Sequence, residues 1–230
     1  MVSLLRMVSI LFAAAIVALP PVADLARAQQ PEDAFVALWS RTEMPVVEGH
    51  VARTWMWGPA ITTLMHEQYA GGPDGQRAVR YFDKGRMEIN TRDGIDSADE
   101  WYVTSGLLAT ELVTGRMQIG PDEFLTRAPA QVNVAGDGND PASPVYASFT
   151  ALRDHQPAAD GDVIISRLSR DGTVTADSSL QAYNVTAAHR VSVPNLDHQV
   201  ASPFWTFMNS SGLVVEDGRY VEANLFSNPF

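Results

Sequence analysis

The segment 78–90, AVRYFDKGRMEIN, constrains the fold more than any other stretch of the chain. Val79 and Tyr81, then Met87 and Ile89, alternate with polar residues at the two-residue period of a strand. Asp83, Lys84 and Gly85 lie between the two runs and suit a short hairpin loop, with Gly85 supplying a positive φ. Two antiparallel strands joined this tightly set the register of whatever sheet they enter. The charges around the loop admit two readings. Asp83, Lys84, Arg86 and Glu88 form an acid/base cluster, or they are a solvated hairpin tip with Arg86 and Glu88 on the outward face. A lysine beside a carboxylate at a turn is no nucleophile without burial, so the tip reading is preferred.

The first 28 residues have the layout of an export signal. Arg6 is the positive start, residues 7–19 are apolar, and Ala26-Arg27-Ala28 is an A-x-A cleavage pattern that leaves Gln29 as the new N-terminus. The apolar run falls short of the ~20 residues of a spanning helix, and Pro20 and Pro21 end it. Retention of the segment as an anchor is the competing reading. The expectation is a secreted or cell-surface protein with no membrane association after cleavage. Loss of Arg6, Arg27 and Asp24 moves the charges from 16 positive and 27 negative to 14 and 26, a net charge of −12. An acidic chain of this kind repels nucleic acid and anionic lipid. It has 0 cysteines, which removes disulfides, thiol catalysis and cysteine-ligated metals. About 200 mature residues bury a core without such staples.

The remaining pattern predicts an α+β protein, mostly antiparallel β hairpins with a few short helices. Asp33 is placed to cap a short helix whose face carries Phe35, Leu38 and Trp39, with Pro45 as its stop. Extended chain with a break at Gly49 follows, then a turn at Gly58-Pro59. Residues 60–70 fit either a helical turn or a strand. A helix is expected from Ser105, with Gly115 just past its end. Residues 130–134 suggest a strand. Tyr146, Phe149 and Leu152 share a helical face, and Asp171-Gly172 marks a second hairpin. Residues 183–193 suggest another strand, and 194–198 a turn.

The end of the chain resembles its beginning. Phe204, Phe207 and Met208 repeat the spacing of Phe35, Leu38 and Trp39, and Val214-Val215-Glu216 echoes Val46-Val47-Glu48 further on. The expected division is a signal segment (1–28), a first repeat unit (29–120), a middle β-rich region (121–203) and an incomplete second repeat copy (204–230). On that reading the sequence is the N-terminal piece of a longer protein.

Residues 82–89 (FDKGRMEI) followed by 101–108 (WYVTSGLL) resemble bacterial secreted cell-surface repeats of the LGFP type, with Val103 and Gly106 at the V-x-x-G element. Trp57-Gly58-Pro59 is the nearest trace of the L-G-x-P element that names those repeats. The resemblance covers 35–120 well and 204–230 in part. It implies a non-catalytic wall or glycan attachment module, with cell-wall glycan or a downstream domain of the same protein as partner.

Five histidines, His50, His66, His155, His189 and His198, show no H-x-H or H-E-x-x-H spacing. No metal site or cofactor is expected. Two loops rich in acidic residues, around Asp93, Asp96, Asp99 and Glu100 and around Asp137 and Asp140, suit calcium in composition but not in order. The enzyme alternative is a hydrolase built within 121–203 on Asp154, His155, Asp197 and His198, with Ser148, Ser192 or Ser202 as nucleophile. No serine stands in a G-x-S-x-G elbow. Trp57, Trp101 and Tyr102 lie beside turns and are the candidate ligand-binding residues, because aromatic faces stack on sugar rings. Trp39 and Trp205 are assigned to the core.

Overall fold

The computed structural model describes residues 31–92, 94–134, 138–193 and 196–226. The proposed export segment therefore lies outside the described residues, as do Asp93 and Asp137. Among the described residues three α-helices, three 3₁₀ helices and twelve strands follow one another, most of them short, and every strand pairing is antiparallel. The α+β class expected from the sequence is what the chain adopts.

The first element is α1 (Pro31–Val47). Pro31 opens it and Asp33 sits inside its first turn, so Asp33 is not the cap expected from the sequence. Pro45 does not stop it either. A proline forfeits its N–H and crowds the carbonyl four residues before it, yet the helix continues through it to Val47. The Pro45 carbonyl still accepts from His50 at 2.9 Å and Val51 at 3.2 Å as the chain turns out through Gly49 at φ +74°. Residues 51–64 then run without regular structure.

A sheet of four strands follows: β1 (Met65–Gln68), β2 (Gln76–Phe82), β3 (Gly85–Ile89) and β4 (Val103–Thr104), hydrogen-bonded in that order. Residues 60–70, which fitted a helical turn or a strand equally, supply β1. The β2–β3 hairpin forms as expected, but its loop is one residue shorter. Phe82 pairs with Gly85, leaving Asp83 and Lys84 alone in the turn, and Gly85 is not among the positive-φ residues. A loop of three residues would pair Phe82 with Arg86. The difference of one residue exchanges the two faces of β3. Val79 and Tyr81 now share a face with Arg86 and Glu88, while Met87 and Ile89 lie on the other face with Ala78 and Phe82. Arg86 and Glu88 are therefore buried rather than outward, contrary to the hairpin-tip reading; only Asp83 and Lys84 form the solvated tip.

The Ala78–Phe82–Met87–Ile89 face packs on Ala34, Phe35 and Trp39 of α1 to make the hydrophobic core. Arg80 closes that layer by reaching Glu32 in the first turn of α1 at 2.8 Å. On the opposite face lies α2 (Leu108–Thr114), ended by Gly115 in the left-handed region at φ +70°. A Cβ on Gly115 would stand 2.0 Å from the Arg127 carbonyl oxygen, so both φ and space demand glycine there.

Beyond α2 the chain forms small hairpins: β5 (Arg116–Gln118) with β6 (Phe124–Thr126), β7 (Ser166–Leu168) with β8 (Val174–Ala176), and β9 (Ala187–Val193) with β10 (Leu196–Ala201). The Asp171-Gly172 turn and the strand within 183–193 are as expected. The stretch 130–134 contributes one isolated bridge, Asn133 to Val145, instead of a strand. Tyr146, Phe149 and Leu152 line a 3₁₀ helix, where a spacing of three falls on one face. Of the turn expected over 194–198, Leu196 to His198 are strand and pair with β9, and residues 194 and 195 lie outside the described residues. Val145, Ser148 and Ala187 are the buried residues among those described in 121–201, so this region has little core of its own.

The chain finishes with α3 (Ser202–Met208) and a hairpin of β11 (Ser211–Glu216) and β12 (Arg219–Asn224). The matching ends of the sequence take different structures: Val46 and Val47 end a helix, whereas Val214 and Val215 are strand. Phe35 is fully buried, while Phe204 is 66% exposed. Trp205, assigned to the core, is only half-buried and stacks on the His189 ring at 3.9 Å between centroids. The β11–β12 hairpin packs against α1. Arg41 ties them together, reaching Glu216 at 2.9 Å and the Leu225 carbonyl at 3.1 Å.

Candidate functional site

Two features stand out, a buried cluster of charges and an open groove lined with tryptophan, which Val134, Tyr146 and Phe207 also reach. The cluster fills the second face of the sheet. Arg86 sends its two terminal nitrogens to the Glu111 carboxylate of α2 at 2.8 and 3.0 Å, and reaches Glu88 at 3.0 Å. Arg77 reaches Glu88 at 3.2 Å and stands 3.7 Å from both Glu67 and Glu111. The Tyr81 hydroxyl donates to Glu67, and the Tyr69 ring lies under Arg77 at 4.8 Å. Two guanidiniums thus face three carboxylates with almost no solvent access. Burial pushes the Glu88 carboxyl above its ordinary value of 4.5, with the repulsion of Glu111 added and the attraction of Arg77 and Arg86 opposing. Burial likewise opposes charge on Arg86, but Glu111, Tyr81 and Glu88 outweigh it and hold that guanidinium above its ordinary value.

Sequence reasoning missed this cluster. Its signal was available in the register: a hairpin loop of two residues would have put Arg77, Arg86 and Glu88 on one face. Each side chain in it faces an opposite charge, although Glu67 Oε2, Glu88 Oε2 and the Nε atoms of Arg77 and Arg86 make no hydrogen bond. The cluster docks α2 and the following loop onto the sheet.

The groove lies at the turn end of the same hairpin. Its volume is about 1020 Å³, and its lining includes Trp55, Trp57 and Trp101 together with Asp83, Lys84 and Glu100. Trp57 and Trp101, singled out from the sequence, thus come from separate segments to one cavity. Trp101 is 40% exposed. Trp57 is half-buried: it packs on Phe82 with centroids 5.7 Å apart and lies against Gly85. Tyr102 does not join them. It lines a smaller neighbouring cleft of about 280 Å³ with Asp99 and Ala37, and burial raises its phenol.

Backbone contacts hold the tryptophan segment. Glu43, fully buried on α1, accepts from the Met56 N–H at 2.8 Å and the Trp57 N–H at 2.6 Å. The Trp39 indole donates to the Gly58 carbonyl at 3.0 Å, and the Lys84 N–H to the Trp57 carbonyl at 3.0 Å. Burial raises the Glu43 carboxyl, against these hydrogen bonds and the nearby charge of Arg53.

The residues of the hydrolase alternative lie far along the chain from this groove and do not line it. Asp197 is bound by Arg190 at 2.8 and 2.7 Å, and His198 Nε2 contacts the Arg153 carbonyl at 3.1 Å. Among the described residues no hydrogen bond joins either histidine, His155 or His198, to Asp154 or Asp197. Ser148 is buried, donating to the Arg170 carbonyl at 2.6 Å, and the Ser202 hydroxyl accepts from the Thr186 N–H at 3.0 Å. The acidic loops serve their own turns: Asp96 and Asp99 accept from the N–H groups two residues on, and Asp140 accepts from Ala142 and Ser143. Among the described residues no group of three or more histidine and carboxylate side chains is placed to hold a metal ion. No helix among them is long and apolar enough to cross a membrane.

No protein-family profile, curated protein or solved structure matches the chain.

Proposed function

We propose that the protein is an exported, non-catalytic cell-surface module that holds a cell-wall carbohydrate in the groove beside the β2–β3 turn. The observation that carries this reading is the convergence of Trp57 and Trp101 on one open cavity of about 1020 Å³, with Trp55 beside them. Indole faces offer flat apolar area to the C–H face of a sugar ring. The exposed Asp83, Lys84 and Glu100 at the rim offer hydrogen-bond partners for hydroxyl and acetamido groups. The export-signal layout read in the sequence of residues 1–28 and the resemblance to LGFP-type surface repeats support the same reading.

Co-sedimentation of the full chain with insoluble wall sacculi and common polysaccharides tests it. Retention on at least one of them is expected. Trp101→Ala should weaken it about 2- to 10-fold, the worth of one aromatic contact, while thermal stability stays within about 0.5 kcal/mol of the parent, as for an exposed position. A chain that binds none of these polymers, or that binds equally well without Trp101 and Trp57, is not the module proposed.

A further inference from the structure

We infer that Glu43 is the residue that positions the tryptophan wall of the groove, acting through the backbone of Met56 and Trp57. The inference rests on the groove being the binding site. Residues 51–64 belong to no strand or helix, so no ladder of backbone hydrogen bonds fixes where Trp55 and Trp57 stand. The same oxygen of the Glu43 carboxylate takes both N–H groups, at 2.8 and 2.6 Å. Trp39 lies four residues earlier on α1, on the same face, and holds the next carbonyl, that of Gly58. One helix face thus grips three consecutive residues. From the other side the hairpin turn holds the Trp57 carbonyl through Lys84.

A carboxylate is an expensive group to bury at the foot of a core helix. An apolar side chain would fill the same space at no electrostatic cost. What the carboxylate supplies instead is a charge-assisted acceptor for two adjacent donors that no ladder satisfies. A site whose walls are held in this way is ready for its ligand before the ligand arrives. Arg53 completes the arrangement: it donates to the Thr42 carbonyl, beside Glu43, and to the Leu213 carbonyl of β11 at 2.8 Å.

The test combines amide hydrogen exchange with the sacculus assay on the full chain. Glu43→Ala should speed exchange at Met56 and Trp57 at least tenfold, leave β2 and β3 unchanged, and reduce retention at least fivefold. Glu43→Gln keeps an oxygen at the same place and should restore both. Glu43→Asp, one methylene too short to reach both amides, should behave like the alanine variant; it also serves if the alanine variant does not fold. Unchanged exchange at the two amides overturns the inference. So does faster exchange with full retention, and so does a glutamine variant no better than alanine. Should the parent itself bind none of the polymers, the proposed function fails, and the exchange pattern alone decides whether Glu43 fixes the segment.

Discussion

One face of the β1–β4 sheet meets α1 through Phe35, Trp39, Phe82 and Met87; the other meets α2 through Arg77, Arg86, Glu88 and Glu111. Both faces are closed to water, yet they are held by opposite means. The apolar face gains from the area it removes from solvent, and shapes of similar volume substitute for one another there. The ionic face gains little from burial. Each charge costs several kcal/mol to desolvate and is tolerated only while its partners stay in place. The apolar face therefore supplies stability, and the ionic face supplies discrimination. A slip of one residue in the β2–β3 register would swap Arg86 with Met87, taking the guanidinium away from Glu111 and putting a thioether in its place.

Arg86→Ala should be the most damaging change on the ionic face. It strands Glu88 and Glu111 without their nearest cation, and denaturant unfolding should show a loss of about 3–5 kcal/mol. Phe35→Ala on the apolar face should cost a similar amount, about 3–5 kcal/mol. What separates the faces is the second substitution. Arg86→Met combined with Glu111→Leu should cost far less than the sum of the two single changes, because it removes charge and partner together. A loss below about 1 kcal/mol for Arg86→Ala would mean that water screens the cluster, and the contrast between the faces would collapse.

Gly106→Ala should come next. A Cβ there would stand 2.5 Å from the Glu88 carboxylate and 2.8 Å from Arg86 Nε. The tips of flexible side chains usually yield, but here Arg86 is gripped by both Glu88 and Glu111. A cost of about 1–3 kcal/mol is expected, in the range of overpacked cores. Relief of that cost in an Arg86→Met background would localise the clash to the guanidinium. No cost in either background would show that the cluster can shift aside.

Much of the fold was legible from local chemistry. The helix ending at Gly115, the Asp171-Gly172 hairpin and the Phe35–Leu38–Trp39 face each follow from patterns a few residues long. What failed was set by single positions or by distant partners. Pro45 lies in the last turn, and the helix runs through it to Val47, so its usual reading as a stop overstated it. The β2–β3 loop turned on whether Gly85 belongs to the turn or to the strand; its place in the strand buried Arg86 and Glu88. The apolar spacing of Phe204, Phe207 and Met208 promised a packed face like that of Phe35, but α3 meets the small β9–β10 hairpin instead, and Phe204 and Phe207 stay exposed. Trp57 and Trp101 were recognisable as candidates because each stands beside a turn. Glu43 was not, since a glutamate in a helix looks solvated until the chain folded against it is known.

Acid should separate the two faces by the smallest margin. Glu88 ionises above its ordinary value of 4.5 because burial resists its charge. Between that raised value and 4.5 the folded chain holds a proton that the unfolded chain has released. The contribution of Glu88 to stability is therefore fully present below 4.5 and is lost as pH rises through the raised value. In chemical terms, three carboxylates face two guanidiniums, and one proton relieves the excess. Glu88→Gln makes that relief permanent. Relative to this variant, the parent should gain stability on acidification from pH 7 to 4.5. Met87→Leu, its neighbour on the apolar face, should track the parent throughout. Parallel curves for parent and Glu88→Gln would remove the proton from the account. A parent that weakens instead would mean that Arg77 and Arg86 win over desolvation and keep Glu88 charged, so the ionic face would be held by pairing alone.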